Sequence, residues 1–221
     1  MNQIFIEGTN NRASVAIKFD GQVYNYQCSK GHNQLEEIIF FFKTKVTQYK
    51  INLNLINAIG YTSGPGSFTG IRMGMMISQG LGFDDPSKIF PLPSLSALAL
   101  LAHQQFNIDK FYVARNAFMG EYFFGGFDFS GRLLEKTMNS KLVSLRELSD
   151  SLSDNLLVVT PKEELEAIEL AISKPCKIYG IELDAKLLLP ILDQMAKGEC
   201  GFIFSADKTS YLRDEEAWDT W

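Results

Sequence analysis

Residues 63–83 have the sequence SGPGSFTGIRMGMMISQGLGF, in which a tight bend precedes an apolar helix. The segment Gly64–Gly66 predicts the bend, because glycine and proline are the residues that sharp turns favour. Ser67 or Thr69 can cap the helix, since a hydroxyl oxygen accepts from the free N–H groups of a first turn. The apolar run Ala58–Thr62 predicts a strand immediately before the bend. We therefore expect a strand, a turn and a helix that ends near residue 83.

Free N–H groups at such a helix start can also hold a phosphate. A phosphate-binding loop carries a Lys directly after its glycines, however, and no Lys occurs anywhere in residues 63–83. The spacing favours the simpler interpretation, in which the glycines only let the chain turn sharply into a packed helix. The phosphate site is the less favoured alternative.

The predicted helix has small residues at every fourth position, namely Gly70, Gly74, Ser78 and Gly82. Small residues on one face let another helix approach closely. Most other positions are large and apolar, and a helix that is apolar nearly all round must be covered on more than one side. Methionine-rich surfaces also repack easily against partners. The pattern favours contact with a second molecule.

A preceding helix is predicted from about Asn33 to Tyr49. Its core stripe, at 100° per residue, consists of Leu35, Ile38, Ile39, Phe42, Val46 and Tyr49. Phe40 and Phe41 fall off that stripe, where solvent is expected. Two neighbouring helices with surplus apolar residues favour a subunit interface, and the alternative, that the rest of the chain covers them, stays open.

The interface hypothesis can be stated as a set of individual residues. The residues predicted to contact a partner are Ile38, Phe40, Phe41, Gly70, Met73, Gly74, Met76, Ile77 and Leu81.

No residue is predicted to be catalytic or to bind a metal or a cofactor. The three cysteines form no CxxC pair, so neither a zinc site nor a disulfide framework is indicated. The two histidines, His32 and His103, are far apart in the chain. His32 precedes a helix, where a local hydrogen-bonding role is favoured over that of a general base, because a base needs an orienting partner.

The order of elements over residues 1–106 is three antiparallel strands, then helix, strand, helix, strand, helix. Asp20-Gly21 marks a hairpin between the second and third strands. This order is that of the ribonuclease H-like fold of actin-like ATPases, a likeness of fold alone. Residues 107–221 begin in the same way, with strands at 111–115 and 121–129. We predict an α/β protein with two such lobes, the second abbreviated.

The C-terminal half predicts its last helix within Asp184–Lys197. Pro190 lies inside this segment and predicts a break into two pieces, because proline removes a helical hydrogen bond. The last helix can pack back on the first lobe.

The composition limits the possible partners. The chain has 221 residues, 46% of them hydrophobic, and a net charge of −5. That charge argues against broad binding of a nucleic-acid backbone by this chain alone, so an RNA would be contacted through a basic partner. The N-terminus shows no signal-peptide pattern, and no 18-residue apolar run occurs. We expect a cytoplasmic protein with no membrane contact.

Five segments, in the correct order, resemble the TsaB (YeaZ) family. The segment from Gly64 to Leu81 resembles its signature, and Asn33–Leu35 is similar to its first-helix element. Pro93–Ala99 is similar to its third-helix start, Ala114–Tyr122 to its strand pair, and Tyr211–Arg213 to its C-terminal motif.

This resemblance implies a non-catalytic relative of TsaD, the subunit that transfers a threonylcarbamoyl group to the adenosine beside the tRNA anticodon. It implies binding to a TsaD-like catalytic subunit through the first two helices, with a TsaE-like ATPase joining the complex. It implies no cofactor of its own. The net charge favours contact with tRNA only through the complex, and the exposed apolar faces of the two helices favour a homodimer in isolation.

The sequence departs from the family at Glu7-Gly8-Thr9, where the family has Asp-Thr, and at Val113, where the family has an acidic residue. These changes argue against a nucleotide or metal role at those positions. The competing interpretation is an actin-like ATPase or small-molecule kinase. Such an enzyme needs an acidic residue on its first strand to organise Mg²⁺, which Glu7 could imitate. Its second phosphate loop would have to be Tyr179–Glu182, a weak candidate.

Overall fold

The computed structural model describes residues 1–31, 33–118, 120–129, 135–144, 146–148, 157–172 and 176–199. The predictions made for His32 and for Tyr211–Arg213 lie outside the described residues.

The first sheet contains five strands in the order β3-β2-β1-β4-β5. They are β1 (Gln3–Glu7), β2 (Ser14–Phe19), β3 (Gln22–Gln27), β4 (Ala58–Thr62) and β5 (Ile89–Leu92). β1, β2 and β3 pair antiparallel, whereas β4 pairs parallel with β1 and with β5. The predicted hairpin is confirmed: Asp20 and Gly21 both have positive φ, as the tight two-residue turn requires.

Three helices belong to this sheet: α1 (Gln34–Gln48), α2 (Phe68–Leu81) and α3 (Ser94–Phe106). The side chain of Asn33 caps α1 by accepting from Glu36 N, and the hydroxyl of Ser67 caps α2 by accepting from Gly70 N at 3.2 Å. The predicted cap at Ser67 is therefore confirmed. The chain leaves α3 through Asn107, which adopts the left-handed conformation that ends many helices.

The second sheet repeats this arrangement, in the order β8-β7-β6-β9-β10. Its strands are β6 (Lys110–Phe118), β7 (Glu121–Asp128), β8 (Glu135–Ser144), β9 (Leu157–Pro161) and β10 (Lys177–Ile181). β6, β7 and β8 pair antiparallel, and β9 pairs parallel with β6 and β10. The predicted α/β class with two sheets of ribonuclease H-like order is confirmed. The helices described after β9 are α4 (Leu165–Ala171) and α5 (Ala185–Lys197).

Helix α5 is continuous through Pro190, so the predicted break is wrong. The residues on either side, including Leu188, Leu189, Ile191 and Leu192, are buried in the core. Burial of each such side chain stabilises by about 1.5–3 kcal/mol, which together outweighs the roughly 3 kcal/mol cost of an interior proline. Pro190 itself is exposed, where its ring meets solvent rather than the core.

Helices α3 and α5 fill the space between the two sheets. Their apolar residues form one core cluster with Phe5 and Ala16 of the first sheet and with Phe111 and Val159 of the second. α5 is also tied to the first sheet by polar contacts, because Ala185 N donates to Ser14 Oγ at 2.9 Å. α1 and α2 cover the opposite face of the first sheet, over a separate core cluster. They are therefore outer helices, and each has a side that the other described residues leave exposed.

Candidate functional site

Helix α1 is rotated relative to the sequence-based expectation. Phe41, predicted to point outward, is buried with 6% exposure, and Phe40 is 70% exposed. Phe41 stacks on Tyr26 of β3 with ring centroids 5.7 Å apart. This aromatic contact turns Phe41 toward the sheet, and the helix pattern alone contains no sign of it. Ile38 is fully buried beside Phe41, so neither residue offers a surface to a partner.

The same rotation exposes two residues expected in the core. Leu35 and Ile39 lie on the solvent side of α1, together with Phe40. The prediction that Leu35 and Ile39 face the core is therefore wrong. A groove of about 700 Å³ runs along this side, and its lining includes Ile39, Phe40 and Thr44.

The small-residue face of α2 packs on the chain's own first sheet. Gly70 lies directly against the backbone of Gly8, leaving no room for a Cβ on either residue. A Cβ on Gly74 would be 3.6 Å from the side chain of Ile6, in ordinary contact. The expectation that this face meets a partner helix is corrected, because the sheet already occupies it. Met73 is also buried, in the core cluster under α1 and α2.

The outward side of α2 carries fewer apolar residues than predicted. Met76 is 64% exposed, whereas Ile77 and Leu81 are partly buried against the core. Arg72 is exposed, and its guanidinium lies over the ring of Phe68 at 3.6 Å. Among the described residues, the predicted interface therefore reduces to a few side chains. We define the outer helical face as Leu35, Ile39, Phe40 and Met76.

A second candidate region lies where the two sheets meet. Arg115 of β6 is only 2% exposed and reaches across to the loop after β1. Its guanidinium donates to Thr9 Oγ1 at 2.8 Å, to the Thr9 carbonyl oxygen, and to Asn10 Oδ1 at 2.8 Å. A single arginine thus connects the second sheet to the first. Its sequence signal is a charged residue inside an otherwise apolar strand.

Glu7, at the end of β1, lies on the other side of Thr9. Its Oε1 accepts from Thr9 N at 2.7 Å and from Thr9 Oγ1 at 2.5 Å, while Oε2 has no hydrogen-bond partner among the described residues. Burial raises the pKa of Glu7 to about 7, and the charge of Arg115 offsets part of that rise. Glu7 therefore belongs to a buried hydrogen-bond network with Thr9 and Arg115.

Glu164 completes the group from the start of α4. Its Oε1 lies 3.8 Å from Arg115 Nε, and its Oε2 accepts from Asn116 N at 2.6 Å. Burial raises its pKa to about 7 as well, again with Arg115 acting in the opposite direction. We call Glu7, Thr9, Arg115 and Glu164 the junction cluster. No local pattern points to Glu164, because its role depends on a contact with Arg115, which lies on another element.

The glycine-rich bend packs directly on this cluster. Gly66 has φ +149°, and a Cβ there would be 2.6 Å from Thr9 Cβ and 3.0 Å from Arg115 Cζ. Close packing within the chain therefore explains this glycine without a ligand. The weak second phosphate loop has a similar explanation, since a Cβ on Gly180 would be 3.1 Å from Leu165 Cδ2.

Comparison with known proteins agrees with this architecture. Residues 19–217 match the family model of TsaD, tRNA N6-adenosine threonylcarbamoyltransferase. The tRNA threonylcarbamoyladenosine biosynthesis protein TsaB of Buchnera aphidicola (Schizaphis graminum) is 30% identical over 66% of this chain and 70% of its own. TsaB of Escherichia coli K12 is 27% identical over 99% and 97%. YeaZ of Pseudomonas aeruginosa superposes with a TM-score of 0.69 at 17% identity, over 90% and 93%.

Fold and comparisons thus define a two-sheet α/β protein related to the threonylcarbamoyltransferases. The chain belongs to the TsaB (YeaZ) family, and its role lies in tRNA threonylcarbamoyladenosine biosynthesis. The resemblance stated from the sequence is confirmed. None of the helices within the described ranges is long and apolar enough to cross a membrane.

Proposed function

We propose that this chain is a non-catalytic subunit that binds and supports a TsaD-like catalytic subunit through the outer helical face. The observation that carries the proposal is Phe40, a large apolar side chain that is 70% exposed on an outer helix. Met76 is exposed on α2, which covers the same face of the first sheet. Burying such a side chain in an interface stabilises a complex by about 1.5–3 kcal/mol.

The junction cluster supports the non-catalytic part of the proposal. Ligand sites often lie between domains, and here Arg115, Thr9 and Gly66 pack against one another where the two sheets meet, beside a polar cavity of about 370 Å³. Glu7 is buried, and its carboxylate accepts a hydrogen bond from Thr9 N. These contacts favour a chain with no cofactor and no metal of its own, rather than the alternative of an actin-like ATPase or kinase.

The remaining partners follow from charge and exposure. A net charge of −5 favours contact with tRNA only through the complex, in which a basic partner supplies the binding surface. A TsaE-like ATPase joins the same complex in this proposal, which operates in the cytoplasm. In the absence of the catalytic subunit, the outer helical face of one copy can cover that of another, giving a homodimer.

The test is copurification with the cognate TsaD-like subunit. Phe40→Glu and Met76→Glu each place a charge on the outer helical face and should abolish the complex while leaving the fold intact. Gln48→Glu is the matched control, because Gln48 is exposed and polar on the same helix and lies about 80° round the helix axis from Phe40, away from Leu35 and Ile39. Complexes that survive both substitutions would overturn the proposal. Phe41→Glu and Met73→Glu are unsuitable, since both side chains are buried.

A further inference from the structure

We propose that Arg115 is a positioning residue for the partner surface, because it connects the second sheet to the start of α2 and so fixes how α2 presents Met76. This inference rests on the proposed function. Arg115 itself is buried and contacts no partner directly. Its effect is transmitted through Thr9 and the turn before α2.

The connection runs through one carbonyl group. The Thr9 carbonyl oxygen accepts from the guanidinium of Arg115 and also from the backbone N–H of Ser67 at 2.9 Å. Ser67 is the residue that caps α2. Arg115 and Ser67 therefore donate to the same carbonyl oxygen, and the two hydrogen bonds together hold that oxygen in place.

Two further contacts bring the same loop against the same helix. Gly66 has no space for a Cβ between Thr9 and Arg115, and Gly70 lies against the backbone of Gly8. The first turn of α2 is thus held by backbone contacts to residues 8 and 9, and Arg115 holds residues 9 and 10. The loop after β1 therefore connects Arg115 of the second sheet to the first turn of α2.

Met76 is far enough from the cap of α2 for a small tilt of the helix to displace its side chain. Met76 lies nine residues beyond Ser67, a rise of about 14 Å along a helix. A tilt of about 10° at the cap would move Met76 by about 2 Å, which is comparable with the precision that close packing at an interface demands. Loss of the guanidinium would leave the Thr9 carbonyl with one donor fewer, and Glu164 without its cationic neighbour.

The experiment compares Arg115→Met and Arg115→Lys with wild type in two measurements. The first is the dissociation constant for the cognate TsaD-like subunit, by calorimetry. The second is amide hydrogen exchange in the free chain over residues 67–76, which comprise the cap and the first turns of α2, with residues 38–46 of α1 as the internal control. We expect Arg115→Met to weaken binding by about tenfold or more and to speed exchange in α2 but not in α1.

Arg115→Lys should restore part of the affinity, because an ammonium keeps the charge but cannot reproduce the forked set of hydrogen bonds. It also serves as the test should Arg115→Met not fold. Wild-type affinity and wild-type exchange in α2 for a folded Arg115 variant would overturn the inference. An equal rise in exchange over α1 and α2 would also overturn it, because a general loss of stability would then explain the effect.

The outcome is distinguishable from failure of the proposed function. If Phe40→Glu and Met76→Glu leave the complex intact, the partner surface itself is wrong. If those two substitutions abolish binding while Arg115→Met leaves it unchanged, only the positioning role is wrong.

Discussion

Gly70 of α2 lies so close to the backbone of Gly8 that neither residue has room for a Cβ. The contact joins the first turn of a helix to the loop after a strand, with no side chain between them. It explains why the small residues of α2 recur at every fourth position. They let the helix lie directly on its own sheet, which leaves the opposite side of α2 for other contacts.

Gly70→Ala should destabilise the chain by several kcal/mol, because the new methyl group meets backbone atoms that cannot move aside cheaply. Gly80→Ala is the matched control on the same helix, since Gly80 is exposed and a Cβ there meets nothing within 4 Å. It should be neutral or stabilise by up to about 1 kcal/mol, as alanine favours a helix over glycine. Urea unfolding of the three proteins measures both effects. Equal stabilities would contradict the close approach.

Substitution of Phe41 should lower the stability of the chain. Substitution of the adjacent Phe40 should leave stability nearly unchanged and weaken binding to the partner. Phe41→Ala should cost about 3–5 kcal/mol of unfolding free energy, because its ring is buried and stacked on Tyr26. Phe40→Ala should cost less than about 0.5 kcal/mol and yet weaken the complex with the catalytic subunit. Thermal unfolding and calorimetric titration test the pair. A large loss of stability for Phe40→Ala would show that α1 is rotated differently.

Glu7 should make the stability of the chain depend on pH. Burial raises its pKa from 4.5 to about 7, so between these values the unfolded chain is ionised there while the folded chain keeps the proton. Stability therefore falls as pH rises through that window and is level above it. Glu7→Gln removes this contribution. Relative to wild type, the variant should gain about 1–3 kcal/mol between pH 5 and pH 8, at about 1.4 kcal/mol per pKa unit.

Urea midpoints at pH 5, 6, 7 and 8 provide this measurement. Glu36→Gln serves as the control, because Glu36 is an exposed glutamate on α1. It shows how the loss of one exposed carboxylate by itself changes the urea midpoint. A constant difference for Glu7→Gln would mean that the Glu7 carboxyl is ionised in the folded chain at pH 5.

The purified chain alone should not hydrolyse ATP in the presence of Mg²⁺. The residues of the junction cluster contact one another where the two sheets meet, and the carboxylate of Glu7 accepts a hydrogen bond from Thr9 N. Release of phosphate, measured with and without the chain, tests this expectation. Turnover that Glu7→Gln abolishes would favour the alternative, an actin-like ATPase.

Local signals in the sequence determined the elements of this protein. The strand, bend and helix around residues 58–81, the cap at Ser67 and the hairpin at Asp20-Gly21 depend on neighbouring residues, whose preferences are visible in a short window. The motifs and their order along the chain also identified the family, because residue types and spacings can be read directly from the sequence.

Only the tertiary structure determined which side of each helix or strand faces the core and which side faces solvent. The outward direction of Phe40 depends on the stacking of Phe41 against Tyr26, a residue on another element. The continuity of α5 through Pro190 depends on the core on both sides of it. The contact of Arg115 with Thr9 joins residues 106 positions apart. Such long-range contacts decide the free energy of each arrangement, and no local preference in the chain encodes them.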